Sequence, residues 1–295
     1  MKICAVVVTF NRIELLKVTL EKLKKQSVKL DEIIVVNNAS TDSTKEYLDG
    51  LDDSNINVCH LDKNLGGAGG FNYGVNLAYK NQNDLVWIMD DDTIATEEAL
   101  EKLVAGLNKL KLKGKNVGFV ASNVLFKDNK PCLMNIPKVH EEWNELAGEN
   151  LIKLEYTSFV SVLITKEAIE KSGLPISDFF IWGDDVEYTS RIGKNFEGYM
   201  VSNSIVHHYM NENNSADIIK TEPERVTRYF YEYRNKYYIH KIQGSKSLLK
   251  YYKYLVMTIL KVIFSKGEGK LKKIGIVLKG WINGIKFNPK IEYIN

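Results

Sequence analysis

The first 95 residues alternate continuous apolar segments with amphipathic ones, and this alternation restricts the fold more than any other feature of the chain. The segment "KICAVVVTF" is an unbroken apolar strand of the kind that a sheet buries on both faces. A helical pattern follows from Glu14 to Lys25, and "EIIVVNN" is a second such strand. The chain therefore opens with a strand–helix–strand unit, which predicts neighbouring parallel strands.

The following segments continue this pattern. "STDSTKEYLDGL" begins with helix-capping residues and predicts a helix, "INVCHLD" predicts a third strand, and "DLVWIMDDD" predicts a fourth. A further helix is expected near Tyr73 to Lys80. The pattern indicates an α/β fold with a parallel, doubly wound sheet that binds its ligand beyond the carboxyl ends of the strands. Four groups of candidate ligand-binding residues fall there: Thr9 to Arg12, Asn37 to Asp42, Asn64 to Gly70, and Asp90 to Asp92.

A glycine-rich stretch, "NLGGAGGFNYG", contains five glycines in eleven residues before the predicted helix. Glycine often marks a place where the backbone turns sharply or approaches a ligand closely. The dinucleotide fingerprint G-x-G-x-x-G is absent after the first strand, which ends in "TFNR", and there is no G-x-x-x-x-G-K-S/T loop. The stretch by itself leaves a flexible loop and a ligand-binding loop equally open.

Three adjacent aspartates, Asp90, Asp91 and Asp92, end the fourth strand. Carboxylates this close raise one another's pKa. A divalent cation removes the conflict, because Mg²⁺ and Mn²⁺ select hard oxygen ligands and share them with phosphate oxygens. The triplet therefore favours a metal site. The alternative is a solvated strand end in which Asp92 caps a helix that begins near Thr96.

A second acidic pair, Asp184 and Asp185, lies at the head of the amphipathic segment "DFFIWGDDVEYTSRI". Acids in a first helical turn can simply complement the helix dipole. Since the chain already has a triplet that could hold a metal, one carboxylate of this second pair could instead abstract a proton. The segment "NSIVHHYM" adds two adjacent histidines, and imidazole is a common ligand of divalent metals.

Six motifs in order resemble those of family 2 glycosyltransferases with the nucleotide-binding GT-A fold: "VVVTFNR", "VVNNASTD", "NLGGAGGFNYG", "WIMDDDT", "IWGDDVE" and "SIVHHYM". Within that family they resemble the galactofuranosyltransferase and rhamnosyltransferase branch, over roughly residues 1 to 240. The resemblance implies a Rossmann-like mixed α/β sheet. It also implies an inverting, metal-dependent transfer of a sugar from a UDP- or dTDP-linked donor to a hydroxyl of a glycan or lipid-linked acceptor in bacterial cell-surface polysaccharide synthesis. Galactofuranose is favoured, and rhamnose is the next choice.

The resemblance further implies roles for individual residues. Asp185 would be the catalytic base, and Trp182 and Asp184 would bind the acceptor. A cation, Mn²⁺ or Mg²⁺, would be held by Asp90, Asp92 and His208. The nucleotide sugar would be bound by a larger set: Thr9, Phe10, Arg12, Asn37, Asn64, Gly66, Gly67, Gly69, Asp90 and Asp91.

Two positions depart from the family pattern. Many members carry Asp where this chain has Asn37, which would alter the contact with the uracil or thymine base. An aromatic residue often precedes the metal-binding histidine, whereas His207 stands there in this chain, so His207 and His208 are both candidates. Position within the motif favours His208.

Charge separates the C-terminal part from the rest of the chain. Residues 241–290 carry twelve lysines and one acid, a balance of +11, so that the other residues sum to −8 within the overall +3. We predict a catalytic domain over residues 1–220, with a nucleotide-binding part (1–115) and an acceptor-binding part (116–220), followed by a helical region over residues 221–295.

The helical region contains apolar residues at helical spacing with lysines on the other side. One interpretation is a helix packed on the catalytic domain with a hydrated lysine face. The other is peripheral contact of residues 245–290 with an anionic membrane, which the lysine excess favours. The apolar residues at helical spacing are Leu248, Leu249, Tyr252, Leu255, Val256, Ile259, Leu260 and Ile263.

The three cysteines show no paired spacing, which predicts a cytoplasmic protein, and no apolar run approaches the ~20 residues of a membrane span. The basic segment 245–290 places the expected location at the inner face of the membrane. Two other functions are considered. A nucleotidyltransferase could use a similar sheet, and a non-enzymatic module could bind nucleic acid through the basic, tyrosine-rich tail. The aspartate triplet and the negative balance elsewhere argue against nucleic acid. No sequence feature indicates an oligomeric state.

Overall fold

A computed structural model of the chain describes residues 1–294, which contain ten strands and nine α-helices. The strands are β1 (Ile3–Thr9), β2 (Glu32–Asn37), β3 (Ile56–His60), β4 (Leu85–Asp90), β5 (Thr93–Ala95), β6 (Val117–Phe126), β7 (Lys138–Val139), β8 (Leu151–Tyr156), β9 (Val162–Thr165) and β10 (Glu197–His208). The helices are α1 (Ile13–Lys24), α2 (Thr44–Asp49), α3 (Gly66–Lys80), α4 (Ala99–Leu112), α5 (Lys166–Ser172), α6 (Asp184–Ile192), α7 (Tyr229–Ile242), α8 (Ser245–Phe264) and α9 (Lys270–Lys286).

The chain forms two compact units. The sheet unit consists of residues 1–177 and 185–214 together with the segment that follows residue 290, and the helical unit consists of residues 178–184 and 215–290. The sequence predicts a boundary between the catalytic domain and the helical region at residue 220, whereas in the structure the main boundary follows residue 214. In addition, residues 178–184 belong to the helical unit, and the segment that follows residue 290 belongs to the sheet unit. Apolar patterning cannot reveal such exchanged segments, because they are short and follow no period.

The sheet unit is built on one mixed sheet with strand order β3-β2-β1-β4-β9-β6-β10-β8-β7, and β5 pairs with β10. Strands β1 to β4 pair in parallel, β9 runs antiparallel to both β4 and β6, and β10 is parallel to β6. The mixed α/β sheet is confirmed, but the expectation of a wholly parallel sheet is wrong. Apolar runs report burial and not strand direction, so β9 could not be distinguished from a parallel strand.

The strand directions bring the carboxyl ends of β1, β2, β4 and β10 to one edge of the sheet, because all four run the same way. The residues at these ends are Thr9, Asn37, Asp90 and His208. Both faces of the central strands are buried: Ala5 and Val7 belong to one apolar core, and Val6 and Val8 belong to the other. The edge with these four ends is therefore built on a fully packed scaffold.

The glycine-rich stretch forms the first turns of helix α3, which begins at Gly66 and not near Tyr73 as the sequence predicts. A Cβ atom added at Gly70 would lie 2.5 Å from Val8 Cγ1, and one added at Gly74 would lie 2.3 Å from Val6 Cγ1. The glycines therefore let the helix backbone approach β1 closely. Helix propensity argues against five glycines in a helix, but this packing on the sheet outweighs it.

The helical unit packs α7, α8 and α9 around a tyrosine-rich core that includes Tyr233 and Tyr251. Helix α8 buries Leu255 of the predicted stripe, but Leu249, Val256, Leu260 and Ile263 of that stripe are exposed. The buried face of α8 packs in the same core as the tyrosine rings of α7. No helix within residues 1–294 is long and apolar enough to cross a membrane. The buried residues of α8 are Tyr251, Leu255, Thr258 and Val262.

We predict that Gly74→Ala lowers the free energy of unfolding by about 1–3 kcal/mol, because the new methyl group must displace the buried Val6 side chain. Urea denaturation followed by circular dichroism measures this change. The matched control is Gly67→Ala in the same helix, where an added Cβ meets no atom within 4 Å. A Gly74 variant as stable as the Gly67 variant would contradict close packing of α3 on β1.

Candidate active site

The aspartate triplet lies at the carboxyl end of β4. Asp91 and Asp92 are each only 3% exposed, and Asp90 is half-buried. Burial, reinforced by the charge of Asp92, raises the pKa of Asp90 to about 7. Burial likewise raises the pKa of Asp91 to about 6, although the nearby Arg12 opposes this shift. Three carboxylates at this depth require positive charge or hydrogen-bond donors around them.

The loop after β1 supplies the first set of partners. Thr9 Oγ1 donates to Asp91 Oδ2 at 2.8 Å, and the Phe10 backbone N–H donates to the same oxygen at 3.3 Å. Arg12 Nη1 lies 3.1 Å from Asp91 Oδ1 and 2.6 Å from Asp92 Oδ2. The Asp91 carboxylate is therefore occupied by the β1 loop, and one guanidinium offsets the charge of two buried acids.

Strand β10 supplies the second partner. Its last residue, His208, pairs opposite Thr93 of β5, and the Tyr209 N–H donates to the Asp92 carbonyl oxygen at 2.9 Å. This register carries the His208 ring to Asp92, with Nε2 3.1 Å from Oδ1. Burial lowers the pKa of His208, but contact with Asp92 outweighs burial and raises this pKa to about 10.

The two adjacent histidines face opposite sides of β10, as successive strand residues do. His208 is buried against Asp92, whereas His207 is half-buried and its Nε2 donates to Asn129 Oδ1 at 2.8 Å. The geometry thus separates two candidates that the sequence leaves open.

Asp90, Asp92 and His208 offer ligand atoms that all lie within 4.8 Å of one another. Asp92 Oδ1 is buried and accepts no hydrogen bond from residues 1–294, although His208 Nε2 is only 3.1 Å away. Neighbouring ligands of an octahedral Mg²⁺ at ~2.1 Å are about 3 Å apart, so this spacing fits two atoms directed at a shared ion. Oxygen and imidazole donors also suit Mg²⁺ or Mn²⁺.

The alternative role of Asp92 as a helix cap does not match the structure. Strand β5 follows the triplet directly, and α4 begins at Ala99 after Glu98. The buried Asp92 side chain faces Arg12 and His208 instead.

The end of β2 carries Asn37, which is only 2% exposed. Its Nδ2 donates to His60 Nδ1 at 2.9 Å, and its Oδ1 accepts the Ser40 N–H at 3.0 Å. His60 Nε2 in turn lies 2.9 Å from Asp49 Oδ1. The Asn37 amide is therefore held in one orientation.

The amino end of α3 is fastened to the end of β2. Asn38 Oδ1 accepts the Leu65 N–H at 2.8 Å, and Asn38 Nδ2 donates to the Gly66 carbonyl oxygen at 2.9 Å. Asn64 Oδ1 accepts the Gly66 N–H at 2.7 Å. Gly67 and Gly69 follow in the first turns of α3. Because the amino end of a helix carries a positive partial charge, the bonds to Asn38 hold that charge next to the end of β2.

The acidic pair begins α6. Asp184 is buried, whereas Asp185 is half-buried and its Oδ1 accepts the Val186 N–H at 2.7 Å. Glu187, in the same helical turn, forms a buried ion pair with Arg191 at 2.8 Å.

The segment before the pair has a constrained backbone. Phe180 and Trp182 have φ values of 64° and 65°, which are uncommon for residues other than glycine. Within the helical unit, Asn235 Nδ2 lies 3.0, 3.0 and 2.8 Å from the carbonyl oxygens of Phe179, Ile181 and Trp182. One buried amide thus holds the strained segment in place.

The model of Glycosyl transferase family 2 matches residues 4–159, which is more than half of the chain and includes the aspartate triplet. The chain belongs to glycosyltransferase family 2.

Two galactofuranosyltransferases match most of this glycosyltransferase chain. Galactofuranosyltransferase GlfT1 of Mycolicibacterium smegmatis is 26% identical over 266 residues, which cover 84% of this chain and 85% of that protein. The galactofuranosyltransferase of the same name from Mycobacterium tuberculosis is 27% identical, with coverage of 83% and 84%.

Solved glycosyltransferase structures share the fold. TarS from S. aureus superposes with a TM-score of 0.55 at 15% identity, covering 95% of this chain and 71% of that one. GalNAc-T7, solved with UDP, GalNAc and Mn²⁺, gives a TM-score of 0.60 at 15% identity, covering 87% of this chain and 55% of that one. These similarities confirm the GT-A fold.

Sequence patterns missed two residues of this glycosyltransferase site. His60 and Asn135 hold its predicted residues in place, yet neither of them lies in a segment with a metal, phosphate or nucleotide pattern. Asn38 lies within the predicted group Asn37 to Asp42, and the structure shows that it fastens the start of α3. Asn135 lies in an irregular segment that gives no such signal.

We predict that Arg12→Met lowers the free energy of unfolding in EDTA by about 1–2 kcal/mol, since it removes the guanidinium that two buried carboxylates share. Added Mn²⁺ should stabilise this variant more than it stabilises the wild type. Thermal unfolding with and without Mn²⁺ tests both statements.

The control for this charge change is Lys17→Met, because the ion pair of Lys17 is with the exposed Glu14. An Arg12 variant that unfolds like the Lys17 variant would show that Arg12 does not compensate the triplet.

Proposed function

We propose that this glycosyltransferase is an inverting, metal-dependent enzyme that transfers a sugar from a nucleotide diphosphate donor to a hydroxyl of a glycan or lipid-linked acceptor. The proposed pathway is bacterial cell-surface polysaccharide synthesis. The observation that carries the proposal is the convergence of Asp90, Asp92 and His208 at one sheet edge. Galactofuranose is the favoured sugar because relatives that match most of the chain are galactofuranosyltransferases, and rhamnose is the next choice.

Asp90, Asp92 and His208 would hold Mn²⁺ or Mg²⁺. When bound, the cation offsets negative charge that grows on the departing nucleotide diphosphate. The chain's own residues prepare this position: Arg12 and Thr9 hold Asp91 and Asp92, and the β5–β10 pairing carries His208 to them. Asp91 contributes by fixing the β1 loop, because its carboxylate already accepts three hydrogen bonds from that loop.

The donor would lie along the carboxyl ends of β1, β2 and β4. Phe10, which is 40% exposed, offers a ring for stacking on a base. Asn37 would bound the base site from the end of β2, where His60 and the Ser40 N–H hold its amide. The amino end of α3, at Asn64, Gly66, Gly67 and Gly69, has the dipole direction that suits a diphosphate. Asn64 Oδ1 already accepts the Gly66 N–H, so the backbone donors would come from the residues that follow Gly66.

Asp185 would take the proton from the acceptor hydroxyl. It is more accessible than Asp184, and the α6 backbone orients its carboxylate through the Val186 N–H. Trp182 and Asp184 would contact the acceptor sugar, since aromatic rings stack on apolar sugar faces and buried acids accept hydroxyl hydrogen bonds. Arg228 lies 5.1 Å from the Trp182 ring within the helical unit and steadies it.

A panel of donors with Mn²⁺ tests the proposed reaction. UDP-galactofuranose, dTDP-rhamnose, UDP-galactopyranose and UDP-N-acetylglucosamine are incubated with the protein, and the released nucleotide is analysed. We expect metal-dependent release of UDP from UDP-galactofuranose. Inversion is checked by NMR of the product's anomeric proton. Formation of a nucleoside triphosphate and a sugar 1-phosphate when pyrophosphate is added would instead identify a nucleotidyltransferase, and salt-sensitive RNA binding without turnover would identify a nucleic-acid module.

We predict that Asp185→Asn lowers turnover by about two orders of magnitude or more with little change in donor affinity, because the amide cannot accept the proton. Steady-state kinetics and calorimetric titration of UDP measure the two effects. Asp184→Asn is the matched control on the same helix. If Asp184→Asn loses turnover and Asp185→Asn keeps it, Asp184 is the base.

The helical unit would hold the enzyme at the inner, cytoplasmic face of an anionic membrane. Helix α8 exposes Leu249, Val256, Leu260 and Ile263, which lie at helical spacing on one face. Exposed lysines at positions 250, 253 and 261 accompany this face. Apolar side chains that enter the lipid boundary, together with cations that meet anionic headgroups, form a typical interfacial helix.

Vesicle co-sedimentation of two triple variants of α8 tests this contact. Each lysine near an anionic surface contributes ~1 kcal/mol, so Lys250→Gln, Lys253→Gln and Lys261→Gln together should abolish the preference for anionic vesicles. The variant with Leu249→Ser, Val256→Ser and Leu260→Ser should lose the binding that remains at high salt. Leu112→Ser, at an 89% exposed site in the sheet unit, is the control. Wild-type binding that is equal for anionic and neutral vesicles contradicts the proposal.

A further inference from the structure

A buried polar cluster lies directly behind His208 in the sheet unit. Asn135 Oδ1 is 2.7 Å from His208 Nδ1 and also accepts the Cys132 thiol at 3.0 Å. Asn135 Nδ2 donates to Ser158 Oγ at 2.9 Å. Asn135 is only 7% exposed and Cys132 only 1%, so water does not compete for these bonds.

The segment that carries Asn135 is fixed to the sheet. Pro131 forms a bridge with Leu125 of β6, and the Cys132 N–H donates to the Val124 carbonyl oxygen at 3.3 Å. The Asn135 N–H then donates to the Cys132 carbonyl oxygen at 3.0 Å. The amide therefore meets the imidazole from a rigid position.

The bond to Asn135 determines which ring nitrogen of His208 is available to a cation. An amide oxygen can only accept a hydrogen bond, so Nδ1 must carry a proton. In a neutral ring the lone pair is then on Nε2, which is the nitrogen directed at Asp92. Partners of this kind orient the histidine ligands of metal sites.

We infer that Asn135 is a positioning residue for the metal site, because it holds His208 with Nδ1 protonated and Nε2 directed at the cation. The inference rests on the metal role of Asp90, Asp92 and His208 proposed above. A neutral amide suits the metal-free protein, since a carboxylate would then add a fourth negative charge beside the triplet.

Mn²⁺ binding by variants of Asn135 tests this inference, with free Mn²⁺ counted by electron paramagnetic resonance. Asn135→Leu has a similar volume and no acceptor, and it should weaken Mn²⁺ binding by about 10- to 100-fold. Asn135→Asp keeps the acceptor and should bind Mn²⁺ at least as tightly as the wild type. Ser158→Ala, which removes only the anchor of Nδ2, should have a smaller effect than Asn135→Leu.

A double-mutant cycle separates positioning from a general structural effect. If Asn135 acts through the imidazole, Asn135→Leu should cause no further loss of Mn²⁺ affinity in a His208→Ala background. Circular dichroism checks that each variant is folded. Should Asn135→Leu not fold, Asn135→Ala takes its place in the same cycle.

Two results would overturn the inference. One is wild-type Mn²⁺ affinity in the folded Asn135→Leu protein, and the other is a full additional loss in the His208→Ala background. Either result leaves the proposed function intact if the wild type binds Mn²⁺. Wild-type protein that binds no Mn²⁺ would contradict the proposed metal role, and this inference with it.

Discussion

The organisation of the sheet edge depends on the compensation of three consecutive buried carboxylates at the end of β4. Arg12 and Thr9 reach Asp91 and Asp92 from the end of β1, and His208 reaches Asp92 from the end of β10. These contacts need strands that end at the same edge, which the shared direction of β1, β4 and β10 provides. Asp92 Oδ1 and His208 Nε2 lie 3.1 Å apart, which is also the spacing expected of two neighbouring ligands of one octahedral cation.

The glycines of α3 connect the fold to this edge in a way that differs from a ligand-binding loop. Gly70 and Gly74 allow the helix to lie against Val8 and Val6 of β1, and Asn38 fixes the helix start beside the end of β2. The close approach serves packing first. Its consequence for function is that the amino end of a 15-residue helix is held rigidly beside the strand ends.

Several features were predictable because they leave a visible pattern in the sequence, either as apolar segments or as adjacent like charges. Apolar runs revealed β1 to β4, and the conflict among Asp90, Asp91 and Asp92 indicated the carboxylates that the structure brings together with His208. Three features were not predictable. The direction of β9 leaves no trace in its composition, the start of α3 depends on packing that outweighs propensity, and the contact of Asn135 with His208 joins residues that are 73 positions apart.

We propose that Asp90, Asp92 and His208 hold one divalent cation together with the donor diphosphate. A crystal of the protein grown with Mn²⁺ and UDP, and measured at the manganese absorption edge, tests this arrangement. We expect one anomalous peak at ~2.1–2.3 Å from carboxylate oxygens of Asp90 and Asp92 and from His208 Nε2. A peak elsewhere, or UDP bound at the strand ends without any anomalous signal, would show that these three residues do not hold the cation.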